Sequence, residues 1–165
     1  MSKLIPYQLS SEKLARLFLN TGIPISSIKL GDGFYTLPQK KWINSFGGVF
    51  VQILDQLKFD FTDESFDCDN YADLAAGFAR RFHQDTVKDK NAPKTGLAFG
   101  ELWVISMRHA INAVVHLDDN RKPYLMAIEP QPRILSLRPF KITLSFTSVK
   151  MTKNDWNSVS LIKMN

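Results

Sequence analysis

Apolar residues between positions 39 and 58 recur at spacings of three and four. Trp42, Phe46, Val49, Phe50, Ile53, Leu54 and Leu57 share one side of a helix. The stripe reads as core packing, and Gly47-Gly48 within it leaves room for another part of the chain to approach. A shorter helix precedes it: Ser10 stands as N-cap, Leu14, Leu17 and Phe18 share a face, and Gly22 and Pro24 end it. Residues 22–39 form an irregular approach with one short strand near Phe34-Tyr35-Thr36. A third helix begins at Cys68, with Tyr71, Ala75, Phe78, Ala79 and Phe82 inward and enough alanine to lie close against a sheet. The polar stretch 83–96 reads as an exposed loop.

From Leu97 the pattern changes. Residues 97–105 and 110–116 read as strands. Asp118-Asp119-Asn120 makes a turn, and residues 124–128 return as the second arm of a hairpin. Residues 141–151 alternate through Ile142, Leu144, Phe146 and Val149 as a further strand, and the tail from Trp156 adds a last short element. Helices followed by a meander of strands predict an α+β fold, N-terminal helices packed on an antiparallel sheet. The expected organisation is one domain over 1–165: a helical part (1–58), a helix and loop around the cysteine (59–96) and a sheet part (97–165).

The 165 residues are 44% hydrophobic and 22% charged, which excludes a disordered chain. One cysteine excludes an internal disulfide framework and a multi-cysteine zinc site. No apolar run approaches a membrane span and no signal peptide is visible; the expected location is cytoplasmic or unknown, with a secreted protein lacking disulfides as the alternative. The net charge of +5 is spread along the chain rather than massed, so it reads as a solvated basic face more than as a nucleic-acid site. Oligomeric state leaves no mark on the sequence.

Cys68 stands in Asp67-Cys68-Asp69-Asn70-Tyr71-Ala72, at a predicted helix head where the macrodipole favours thiolate. A cysteine nucleophile needs a base, and the base needs a partner on its other ring nitrogen. His109 opens the first arm of the hairpin and Glu129 closes the second, so antiparallel pairing brings them together at one sheet end. The bland alternative is a buried cysteine with no link to the histidine.

Three motifs in order, residues 67–72, Arg108-His109-Ala110-Ile111-Asn112 and Glu129-Pro130-Gln131, resemble the papain-like cysteine peptidases. The closer resemblance is to the papain-like C-terminal domain of the Marasmius oreades agglutinin and related bacterial and phage proteins, over roughly residues 60–135. It implies a papain-like fold and a cysteine hydrolase, most simply a peptidase working through a thioacyl-enzyme on a peptide or protein substrate. Cys68 would be nucleophile, His109 general base and acid, and Glu129 the orienting carboxylate. Thr62 replaces papain's glutamine, so Gln131 or Asn112 becomes the expected oxyanion or substrate contact. Arg108 stands where the pattern has glycine. Asp67 and Asp69 oppose thiolate formation. The chemistry requires no cofactor, but the resemblance adds calcium, for which Asp60, Asp63, Glu64, Asp67 and Asp69 offer oxygen ligands. Two alternatives stand beside the hydrolase: a transglutaminase-like acyl-transferase, and a non-catalytic papain-like binding module such as a phage or bacterial inhibitor or nucleic-acid-associated protein.

Overall fold

The computed structural model describes residues 7–57, 67–86, 95–131, 133–134, 142–143 and 146–165. Strand β1 (Gln8–Ser10) leads into α1 (Ser11–Thr21). The Ser10 side chain accepts from the Lys13 N–H, and Gly22, at φ 104°, closes the helix in the left-handed region. A 3-10 turn (Ile25–Ser27), β2 (Ile28–Leu30) and β3 (Phe34–Thr36) follow, then α2 (Lys40–Leu57) and α3 (Cys68–Thr86). The second half holds β4 (Gly96–Leu97), β5 (Phe99–Val104), β6 (His109–Leu117), β7 (Pro123–Glu129), β8 (Arg133–Ile134), β9 (Ile142–Thr143), β10 (Thr147–Val149), α4 (Lys153–Asn157) and β11 (Val159–Met164).

The fold is α+β. Its main sheet has six strands in the order β10-β7-β6-β5-β11-β2, with a three-stranded sheet β1-β3-β4 and the pair β8-β9 beside it. The predicted hairpin is β6–β7, with Asn112 opposite Ile128 and His116 opposite Tyr124. The expected wholly antiparallel sheet is corrected at one edge: β2 runs parallel to β11. The C-terminal strand lies inside the sheet, between β5 and β2. Gly100 makes this possible, because a Cβ there would lie 1.9 Å from the Lys163 carbonyl oxygen. The single strand predicted over 141–151 is corrected to two short ones in different sheets, β9 and β10; residues 141, 144 and 145 lie outside the described ones.

Helices cover both faces of the sheet. On one, Leu14 and Phe18 of α1 join Leu102, Val104, Ile111, Ala113, Val115, Leu125, Ala127 and Ile162 in a core. On the other, Phe46, Phe50 and Leu54 of α2 and Tyr71, Ala75, Ala76 and Ala79 of α3 close over Phe99, Val114 and Ile128. Each large side chain buried this way is worth about 1.5–3 kcal/mol. The alternation of β6 thus feeds two cores at once. The small residues of α3 let it lie low on β5 and β6. Phe146 reaches across to Gly47, where a Cβ would meet its ring at 2.6 Å. The α2 stripe is core packing, with Phe46 stacked on Trp42 and Phe146.

Candidate functional site

The head of α3, the start of β6 and the end of β7 meet at one end of the main sheet. The Asn70 side-chain oxygen accepts from the Asp67 N–H at 3.1 Å, and the Tyr71 N–H donates to the Asp67 carbonyl at 3.1 Å, which starts α3 at Cys68. The thiol is partly buried. At the opposite wall, β5 and β6 are joined through residues 105–108, where the Arg108 N–H donates to the Ile105 carbonyl at 3.0 Å. Arg108 has φ 49°, a left-handed conformation that glycine adopts at less cost. The turn delivers His109 as the first residue of β6, opposite Val104.

His109 Nε2 donates to Glu129 Oε2 at 2.6 Å, and the Gln131 backbone N–H donates to Glu129 Oε1 at 3.0 Å. Both carboxylate oxygens are therefore engaged. Side-chain exposure is 25% for His109 and 16% for Glu129, so the pair is shielded but reachable. The hydrogen bond to Glu129 holds the imidazole pKa above its ordinary value against the opposing effect of burial, and the Glu129 charge adds to it. Register places Glu129 diagonal to His109 rather than directly opposite, since Asn112 faces Ile128.

The thiol engages the backbone. The Ala110 N–H donates to Cys68 Sγ at 3.5 Å. Among the described residues no hydrogen bond joins Cys68 to His109. Along β6, Asn112 faces α3, whereas Ile111 and Ala113 belong to the α1 side.

Asn112 is fully buried, and Nδ2 donates to the Ala72 carbonyl at 2.8 Å and the Gly100 carbonyl at 3.0 Å. With both N–H groups committed, it ties α3 to β5 and has none to offer a ligand. Gln131 acts on Glu129 through its backbone. Of the five carboxylates considered for calcium, Asp60, Asp63 and Glu64 lie outside the described residues. Asp67 and Asp69 act on each other: their proximity lowers the Asp67 pKa and raises that of Asp69, as for two carboxyls that share one proton. Among the described residues no group of three His, Cys, Asp or Glu side chains is placed to hold a metal. Burial pushes the His83 pKa down. No described helix is long and apolar enough to cross a membrane. The contact that sequence reasoning missed is the Ala110 N–H. Its only signal was the position next to His109, because a backbone donor leaves no mark in residue type.

No protein-family model matches the sequence, and no curated protein matches it closely enough to count as a relative. Solved structures do share the fold. One, described as the PSL1a–E64 complex, superposes with a TM-score of 0.62 at 17% identity, over 95% of this chain and 48% of that one. Another, a Polyporus squamosus lectin bound to the human-type influenza-binding epitope Neu5Aca2-6Galb1-4GlcNAc, gives 0.62 at 18% identity, over 93% and 48%. The chain spans about half the length of these neighbours. Lectin neighbours overturn the expected cysteine hydrolase, and with it the thiol-peptidase and enzyme assignments. The non-catalytic binding module agrees better with these findings.

Proposed function

We propose that this chain is a papain-like binding module that docks a peptide segment of a protein partner at the junction of Cys68, His109 and Glu129, without turning it over. The observation that carries the reading is the 2.6 Å His109–Glu129 pair, held beside a partly buried thiol that is bonded to the Ala110 backbone and not to the imidazole. An imidazole with a raised pKa presents a cation to a ligand carbonyl or carboxylate. Glu129 and the Gln131 N–H lock its orientation, so little ordering cost remains on binding. Asn112 has both its N–H groups on backbone carbonyls and offers none to the sulfur. The papain-like assignment rests on the three sequence motifs and on their convergence at one sheet end.

The test is a titration of the isotope-labelled protein with a tryptic digest of casein, followed by amide NMR and by mass spectrometry of the peptides. The expected result is shifts at Cys68, His109, Ala110 and Gln131 with no new cleavage products. Cleavage that disappears in Cys68→Ala would overturn a binding-only role. Shifts at the same residues with Neu5Aca2-6Galb1-4GlcNAc, and none with peptides, would replace the peptide with a glycan.

A further inference from the structure

We infer that Ser106 is a positioning residue of the junction: its hydroxyl ties the turn ahead of β6 to α4 and so fixes where His109 and the Ala110 N–H stand. The inference rests on the binding reading above and names what holds that site in place. His109 and Ala110 are the first two residues after the turn 105–108. Both pair with β5, His109 opposite Val104 and Ala110 opposite Trp103. On the β7 side, among the described residues, the register begins only at Asn112, opposite Ile128. Carried two residues further it would set Pro130, which has no N–H, opposite Ala110. The start of β6 therefore has a ladder on one side and reaches Glu129 through the His109 side chain.

The missing restraint comes from α4. Ser106 Oγ donates to Asp155 Oδ1 at 2.7 Å and accepts from the Ser158 hydroxyl at 2.8 Å. The Ser106 N–H donates to Ser158 Oγ at 3.1 Å, and the Ile105 N–H donates to the Ser158 carbonyl at 3.1 Å. Asp155 is itself held. Its Oδ2 accepts from the Thr152 N–H at 2.8 Å and from the Thr152 hydroxyl at 2.6 Å, as part of a capping box. The hydrogen bonds from Thr152 and Ser106 keep this carboxyl below the ordinary carboxylate range, so it stays an acceptor. One oxygen caps α4 and the other grips the turn. Trp156, next in sequence, packs against the α1-side core and anchors α4 to the body of the domain.

The turn has a conformation to be held in. Arg108 sits at φ 49°, an angle that a side chain resists, immediately before His109. Released at Ser106, the turn is free to relax that angle, and the change passes to the next residue. Ser106 is exposed, so losing its hydroxyl should loosen the turn without unfolding the core.

Three variants test this. Ser106→Ala removes the hydroxyl and Ser106→Thr keeps it. Ser160→Ala removes another exposed hydroxyl, one that donates to the Trp103 carbonyl at 3.5 Å and not to the turn. Each ligand-free protein is read by NMR for the His109 imidazole titration and for amide exchange at Ala110 and Val115. The Val115 N–H donates to the Ala98 carbonyl at 2.9 Å, deep in the sheet, and reports global opening. In Ser106→Ala the His109 pKa should move down toward its ordinary value, because the bond to Glu129 is made less of the time. Ala110 should exchange about tenfold faster with Val115 unchanged. Ser106→Thr and Ser160→Ala should match the wild type. An unchanged His109 pKa or Ala110 exchange in Ser106→Ala overturns the inference. So does acceleration of Val115 by the same factor, failure of Ser106→Thr to restore the wild-type values, or the same two effects in Ser160→Ala. The peptide titration, run on the same proteins, separates this role from the binding reading. No peptide shifts in the wild type end that reading, while the two ligand-free effects still support the positioning role. Where the wild type binds, Ser106→Ala should bind about threefold more weakly, and equal affinity overturns the inference.

Discussion

The two ends of β6 carry the same residue type and use it differently. His109, at the first position, finds a carboxylate twenty residues away on β7 and remains partly exposed. His116, near the other end, bonds through Nδ1 to the carbonyl of the next residue, Leu117, at 2.9 Å. It packs edge-on against the Tyr124 ring at 5.7 Å and is 9% exposed. One histidine is satisfied by its immediate surroundings. The other depends on a tertiary partner and faces a junction of three elements. A histidine becomes a candidate site residue through the origin of its partner and the access left to solvent.

The severest test removes what both ends share. Gly100→Ala drives a Cβ into the Lys163 carbonyl and separates β11 from β5, so a loss of more than about 3 kcal/mol is expected. Urea denaturation should show it, with both histidines losing their native NMR positions together. Glu129→Gln comes next and acts on one end only. The His109 pKa should fall toward the ordinary value near 6.5, read from imidazole NMR, while the His116 ring keeps its packing against Tyr124. Since the folded His109 pKa is raised, its contribution to stability is complete below the unfolded pKa and disappears as pH rises through the folded one. Wild-type stability should therefore lose that increment on the alkaline side, and Glu129→Gln should not. Arg108→Gly relieves a left-handed φ of 49° and should stabilise the chain by about 1 kcal/mol, measured by urea denaturation. The smallest effect belongs to His116→Gln, which forfeits about 0.5–1 kcal/mol of ring packing and should leave Cys68 labelling unchanged.

The hairpin was legible because alternating apolar positions and an Asp-Asp-Asn turn constrain pairing within a short span. That local logic brought His109 and Glu129 together before any coordinates. The same logic could not bring Cys68 to His109. The sulfur arrives on α3 from a separate element, and its height and angle over the sheet depend on Ala72, Ala75, Gly100 and Asn112 packing together. The long-range order of strands was hidden for a similar reason. β11 looks like a short terminal element, and only the approach that Gly100 permits reveals it as interior.

Periodicity was sufficient for the three long helices, for the Ser10 cap, and for the hairpin that pairs imidazole with carboxylate, because each depends on neighbours close along the chain; the short elements β1, β2 and α4 left no such pattern. The contact of the thiol with the β6 backbone and the commitment of Asn112 to two backbone carbonyls depend on where α3 begins relative to the sheet. Those relations join elements dozens of residues apart, and packing alone decides them.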